Sequence, residues 1–356
     1  MKFLSFLLLF LLIRITISAQ IPQGYYDAAA GLYGPSLQQA LHDIIDNHTV
    51  ISYDNLYDAF ETTDRKPNGK VWDMYSDVPG GTPAYEYSYG SNDECGSYNS
   101  EGDCFNREHS WPKSWFSDKT PMYSDLFHLY PTDGYVNNRR SNYPFGKVGS
   151  SDFTSTNGSK VGSCVTPGYS GTVFEPIDEY KGDFARTYFY MATRYYNEDN
   201  GWAGSGMTNG SQLKPWAVTM LLQWSAADPV SQKEIDRNNA VYSWQHNRNP
   251  YIDHPEYSVS IWAPNAGIQD YASTVTLSCT PNPCSTTLKL DIPAQNLKLY
   301  PEVLVYSSTG SLVKVQPEWI NSSVTMNVSS LPAGIYIIRI NSSELMYSYQ
   351  SRFIKL

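Results

Sequence analysis

The sequence predicts an α+β fold in two parts, a mixed helix-and-strand domain over residues 20–272 and a small β-sandwich over residues 273–356, behind a signal peptide at 1–19. Three observations carry this. In the first part, apolar residues recur at helical spacing, while the strands between them are short and lack the β-α alternation of a doubly wound sheet. Near residue 272 the character changes to Thr/Val/Ser-rich runs at regular intervals, separated by turn residues. The length of 356 residues exceeds one minimal domain, and 41% hydrophobic with 17% charged residues places the chain among globular proteins, not disordered ones.

At the N-terminus, Lys2, an apolar run over 3–13 and small residues ending at Ala19 read as a secretory signal peptide cut after Ala19. Arg14 interrupts the run, which is short for a membrane span; retention as an anchor is the alternative. Residues 20–35 form a Gly/Pro/Tyr-rich lead-in. Leu37, Ala40, Leu41, Ile44 and Ile45 follow helical spacing with Ser36 as the candidate N-cap, and Leu56, Ala59 and Phe60 suggest a second short helix over 53–61. Residues 71–75 read as a strand, and Gly/Pro/Ser/Asn punctuation runs to residue 102. Residues 106–112 read as a short strand and a Pro-broken turn. Tyr180, Phe184, Tyr188, Met191 and Tyr195 mark a long helix over 178–197, and helices over 211–224 and 231–243 are split by Asp228-Pro229. Beyond residue 272, strands are expected at 303–306, 324–328 and 335–340, with turns at Gly310 and Pro332-Ala333-Gly334.

Of five cysteines, Cys95 and Cys104 flank a Gly/Ser/Asn-rich loop, Cys279 and Cys284 flank Thr-Pro-Asn-Pro, and Cys164 is left over. Two disulfides are expected on that spacing, and the absence of any C-x-x-C pair argues against structural zinc. A formal net charge of −10 excludes a protein that coats nucleic acid electrostatically. It leaves room for an enzyme touching a few phosphates, because Lys113, Lys119, Arg139, Arg140 and Lys147 can form a local basic patch. The 29 tyrosines suit stacking on bases or sugars and equally an extracellular surface, so they decide nothing.

The chemistry concentrates in Asn106-Arg107-Glu108-His109-Ser110-Trp111-Pro112, where a carboxylate and an imidazole stand side by side in an aromatic-rich stretch. Such groups are costly to bury unless paired or bound to a metal. A second polar cluster follows over 125–142, with Asn137, Asn138, Arg139, Arg140 and Asn142 close together. Glu108 and an amide oxygen such as that of Asn137, with water and phosphate oxygens, would hold a hard divalent cation, and His109, kept off the metal, would take a proton from an attacking water. Arg140 or Arg139 would fork onto phosphate oxygens. In a regular strand Glu108 and His109 point to opposite faces, so a shared site places them at a strand end, where the turn before Pro112 breaks the alternation. On composition alone, a solvated or hydrogen-bonded structural pair is the commoner arrangement of Glu beside His.

Three segments carry a resemblance: 105–116 around Glu108-His109, 125–142 around Asn137, and 247–256 (Asn247-Arg248-Asn249-Pro250 onward). Together they resemble the bacterial endonuclease I family, whose members are ββα-metal finger nucleases, over roughly residues 23–265. The resemblance implies Glu108 and Asn137 as ligands of magnesium, with calcium or manganese as alternatives, and His109 as general base. It implies Arg140 at the motif's arginine, with Arg139, Asn142 and Arg248 as candidate substrate contacts. The implied products carry 5′-phosphate and 3′-hydroxyl ends, cut without sequence preference from DNA, with RNA as a further substrate, by a monomer. Three positions depart from the pattern: Phe127 and Ser225 stand where His is expected, and His246 where Gly is. His128 and His246 are expected to be structural, and Asp253 and His254 to cap a turn and buttress the core. The C-terminal part resembles the sorting domain of type IX secretion cargo, through Pro281-Asn282-Pro283, residues 305–310, residues 330–336 and the ending Phe353-Ile354-Lys355. This implies export by that machinery to the cell surface or medium, with no stable membrane insertion.

Two readings of other classes compete. An inactive surface-binding protein on the same fold has no chemical need for Glu108, His109 and Asn137 together. A secreted phosphoesterase for small substrates would differ only in the shape of its cleft.

Overall fold

The computed structural model describes residues 21–90, 93–263, 275–291, 302–307, 312–320, 323–341 and 349–356. The expected signal peptide, the boundary near residue 272 and the Gly310 turn lie outside them. The chain divides into two compact units, Met1–Trp262 and Ala263–Leu356.

In the first unit, α1 (Gly34–Ile45) buries Leu37, Leu41 and Ile45 as the spacing predicts. Its cap is Tyr33 and not Ser36, because Pro35, whose ring presets a helical φ, occupies the first turn. A 3-10 turn (Tyr53–Asn55), capped by the Ser52 hydroxyl, leads into α2 (Leu56–Thr63). The strand expected at 71–75 does not form. Asp73 Oδ1 accepts from the Tyr75 amide at 2.8 Å and Oδ2 from the Ser76 hydroxyl at 2.6 Å, folding the segment into a turn.

Strand β1 (Phe105–His109) pairs antiparallel with β2 (Leu129–Asp133), in the register Phe105↔Asp133 to His109↔Leu129. Helix α3 (Gly134–Arg140) leaves β2 directly, because Asp133 is its N-cap and accepts from the Val136 amide at 2.8 Å. This is the strand-strand-helix unit implied by the resemblance. A three-stranded meander follows, β3 (Val148–Thr154), β4 (Lys160–Cys164) and β5 (Thr172–Glu175). No strand was legible there because β3 lies almost wholly at the surface and carries no apolar alternation. The long helix is α4 (Lys181–Arg194), entered through a 3-10 turn (Asp178–Tyr180) and buried from Gly182 to Arg194, the mark of a helix packed on all sides. Gly182 is required there: a Cβ would sit 2.0 Å from the Asp228 carbonyl oxygen.

A small hairpin, β6 (Thr208–Asn209) and β7 (Gln212–Leu213), takes the start of the expected 211–224 helix. That helix, α5, runs Pro215–Ala227. Helix α6 (Gln232–Gln245) opens with a capping box between Ser231 and Glu234. Short α7 (Pro250–Asp253) and α8 (Glu256–Trp262) close the unit.

The second unit is a pair of sheets. Its strands are β8 (Val275–Thr276), β9 (Cys279–Thr280), β10 (Thr287–Asp291), β11 (Glu302–Ser307), β12 (Leu312–Val313), β13 (Pro317–Ile320), β14 (Ser323–Asn327), β15 (Gly334–Asn341) and β16 (Tyr349–Lys355). The sheet orders are β13-β14-β10-β9 and β12-β11-β15-β16-β8. Leu288, Leu290, Val324 and Met326 from one sheet share a core with Val305, Ile338, Ile340 and Phe353 from the other, the packing of a β-sandwich. Cysteine pairing is half as expected. Cys95 and Cys104 are bonded, whereas Cys279, Cys284 and Cys164 are free thiols. Cys279 Sγ instead lies 3.3 Å from the Arg352 carbonyl oxygen. Among the described residues no helix is long and apolar enough to cross a membrane.

Candidate active site

Alternation along β1 puts Asn106 and Glu108 on one face and Arg107 and His109 on the other. On α3, Asn137 and Arg140 are three residues apart and share a face. These two faces meet. Asn137 Nδ2 donates to Asn106 Oδ1 at 2.7 Å, and Arg140 Nη1 donates to Glu108 Oε1 at 3.0 Å. Glu108, 2% exposed, also accepts from the Tyr75 hydroxyl at 2.8 Å on the same oxygen. Burial pushes its carboxyl upward, and the Arg140 charge and the Tyr75 hydrogen bond pull it back. Glu108 Oε2 and Asn137 Oδ1 take no hydrogen bond from the described residues. Because the Asn106 contact occupies the Asn137 amide nitrogen, both unused atoms are hard oxygen donors, the set a magnesium-like cation prefers.

His109 is the last residue of β1, as a site at a strand end demands, but the ladder runs regularly through Glu108↔Tyr130 and His109↔Leu129. The expected break in alternation is therefore absent, and the two side chains leave opposite faces. The His109 ring lies nearly parallel to Tyr53 (6.1 Å between centroids, 12°) and tilted against Tyr123. Its Nε2 is 3.1 Å from the Tyr123 carbonyl oxygen. A carbonyl can only accept, so Nε2 carries the proton and Nδ1 keeps a lone pair. Burial, followed by the neighbouring His128, holds the His109 pKa well below the ordinary range, leaving the ring neutral with its lone pair at Nδ1.

Two expected phosphate contacts are corrected. Arg140 is 1% exposed, and its guanidinium serves Glu108, the carbonyls of His109 and Ser110, and the Tyr188 hydroxyl. Arg248, also 1% exposed, is clamped to Asp253 and Asn239. Both are interior struts, and the nitrogens they leave unpaired, Arg140 Nε and Arg248 Nη1, are themselves buried away from a phosphate. Arg139 and Asn142 are exposed, Arg139 with its guanidinium 5.0 Å from the Phe153 ring, so both can meet substrate. Sequence reading passed over Arg107, whose half-buried guanidinium lies 3.8 Å over Tyr53 and 4.7 Å over Tyr57 on the His109 face of β1. Its signal was the i, i+2 relation to His109.

The third motif is structural from Asn247 to Asp253, while His254, the residue that caps the end of α7, pairs at the surface with Glu256. Asn247 donates to the Ile45 carbonyl and the Tyr190 hydroxyl, and Asn249 caps α7. Asp253 buttresses as expected, accepting from Tyr26, Asn238 and Arg248. His128 is wholly buried with Nε2 at 2.7 Å from the Met122 carbonyl oxygen. His246 sits at φ 61 just past the end of α6, a left-handed position that favours glycine. Phe127 packs on Tyr190, and the Ser225 hydroxyl accepts from Arg186. Among the described residues one group of His and carboxylate atoms lies close enough to share an ion, His42, Asp46 and Glu198, on elements other than β1, β2 and α3. Glu198 there also pairs with Arg194 at 3.0 Å.

Behind the finger, Asp73 Oδ2 accepts from the Asp133 amide at 2.8 Å and so fixes the start of α3. Burial is the largest influence on the Asp73 carboxyl, which is pushed up to about 7 with the Asp133 charge assisting and the Ser76 hydroxyl opposing. An unfolded Asp ionises near pH ~4. Between that pH and about 7 the folded chain therefore holds more protons, and stability falls as pH rises through this window. Asp73→Asn abolishes this titration, so its melting temperature should change less across the window than that of the wild type. Equal slopes in a pH series of thermal melts would refute this.

Residues 34–256 match the Endonuclease I family, and residues 279–355 match the secretion system C-terminal sorting domain. The chain is 37% identical over 245 residues to an extracellular ribonuclease of Bacillus amyloliquefaciens, covering 67% of this chain and 78% of that protein. An extracellular ribonuclease of Bacillus subtilis matches at 37% over 248 residues with the same coverage. A periplasmic deoxyribonuclease of Aeromonas hydrophila is 27% identical over 134 residues, 37% of this chain and 48% of that protein.

Proposed function

Since the chain belongs to the endonuclease I family, we propose that it is a secreted, metal-dependent nuclease that hydrolyses phosphodiester bonds in RNA and DNA by attack of a His109-activated water. The observation that carries this reading is the meeting of α3 with β1. There Asn137 meets Asn106 and Arg140 meets Glu108, while His109, neutral and anchored by Tyr123, leaves the opposite face of the same strand end. A hard divalent cation held by Glu108 and Asn137 would polarise the phosphate and stabilise the charge that develops on the leaving oxygen.

The protein's own groups do the rest. Nδ1 of His109 takes a proton from water as its oxygen bonds to phosphorus, and the bond to the 3′ oxygen breaks as that oxygen takes a proton from solvent water, giving 5′-phosphate and 3′-hydroxyl ends. Arg140 fixes the Glu108 carboxylate from within and acts as a positioning residue. Arg139 and Asn142 supply exposed contacts to the strand, and backbone contacts carry no sequence information. The sorting domain sends the enzyme through the type IX route, with residues 20–272 as the nuclease and 273–356 as the export domain.

The test is cleavage of supercoiled plasmid and of single-stranded RNA by purified protein. Magnesium should support nicking and RNA degradation, a chelator should stop both, and added magnesium should restore them. Cleavage indifferent to the chelator, or none with magnesium, calcium or manganese, would overturn the reading.

A further inference from the structure

A recess of about 460 Å³ opens beside β1, lined by Tyr53, Tyr57, Glu94, Asn106 and Arg107. It adjoins the general base through one ring, since Tyr53 lies near His109 and also under the Arg107 guanidinium. Arg107 Nη1 donates to the Tyr53 carbonyl at 2.9 Å, which together with the two rings fixes the guanidinium in place. Its remaining N–H groups have no partner among the described residues. The wall is amphoteric: Arg107 donates, Glu94 accepts, and Asn106 can do both. Burial, then the charges of Asp58 and Glu61, push the Glu94 carboxyl upward, while the Arg107 charge opposes them, so charges of both signs face the recess. A wall of both signs suits a neutral ring that both gives and takes hydrogen bonds.

We propose that this recess is a base subsite, taking one nucleobase unstacked from the strand next to the scissile phosphate and favouring a base with both a carbonyl and an amino group, guanine or cytosine. This rests on the nuclease reading and deepens it. Arg107 donates to the base carbonyl, Glu94 accepts from the amino group, and Tyr57 offers apolar contact. Single strands, whose bases can splay out, are the substrates that use it. Cleavage elsewhere stays indifferent to sequence.

The test is digestion of single-stranded RNA and DNA of randomised sequence with the full chain and magnesium, followed by sequencing of the product ends. Wild type should show guanine or cytosine enriched on the order of fivefold at one fixed position beside the cut, the lower end for a hydrogen-bonded base contact. Arg107→Ala should flatten that position, and Glu94→Gln should weaken it by losing the acceptor charge. The skew is a ratio among products, so a change in overall rate does not affect it. If Arg107→Ala fails to fold, Glu94→Gln alone decides. No skew in wild type, or the same skew in both variants, overturns the subsite. A salt-sensitive loss of affinity in Arg107→Ala with unchanged ends also overturns it and makes Arg107 a phosphate contact. Absence of any cleavage by wild type would instead sink the nuclease reading.

Discussion

His109→Ala is expected to lower metal-dependent cleavage of plasmid by roughly 10²- to 10⁴-fold, the range for loss of a general base, in a protein that still folds. The ring is held by a hydrogen bond from Nε2 to the Tyr123 carbonyl and by contacts with Tyr53 and Tyr123, so its removal takes away one proton acceptor and leaves Glu108 and Asn137 untouched. Magnesium affinity, followed by the concentration needed for half-maximal nicking of a sluggish but active variant, should therefore stay near the wild-type value. Free imidazole should restore part of the rate, because the space vacated by the ring can admit a diffusible base. A rate within about tenfold of wild type would show that the water loses its proton elsewhere.

How much of this was legible in the sequence follows from where each signal is stored. The helices α1, α2, α4, α5 and α6 were readable because burial of one face, or of all faces in α4, writes apolar residues at 3.6-residue spacing. Strand β3 was not, since it sits at the surface, and residues 71–75 misled because their aromatic and β-branched residues imitate a strand while Asp73 makes a turn. Glu108, His109 and Asn137 were singled out through motif resemblance and local chemistry, and are proposed as the site on those grounds. The roles of the arginines were not, because charge alone does not say which way a guanidinium faces. Arg140 and Arg248 turned out to be interior struts, and Arg107, two positions before His109 on the same strand, is the one that opens onto a recess. The thiols of Cys279 and Cys284 show the same limit, because spacing proposes a disulfide and only the backbone decides it.

Glu108 should behave differently from His109, because one carboxylate is expected to serve both the fold and the ion. Arg140 is 1% exposed and Glu108 is its one carboxylate partner among the described residues, so Glu108→Ala leaves a buried guanidinium without a counter-charge and the Tyr75 hydroxyl without its acceptor. Breaking one side of a buried pair costs about 3–5 kcal/mol, a large part of the ~5–15 kcal/mol that holds a typical domain together. Glu108→Ala should therefore melt far below wild type and show no cleavage. Glu108→Gln separates the two roles. Its amide oxygen can still accept from Arg140 and Tyr75, so most of the stability should return, while the negative charge that holds a divalent cation does not. The expected result is a folded protein whose cleavage stays near background at any magnesium concentration that saturates wild type. Full activity in Glu108→Gln would remove Glu108 from the ion's ligands, and wild-type stability in Glu108→Ala would show that the carbonyls of His109 and Ser110 and the Tyr188 hydroxyl suffice to hold Arg140.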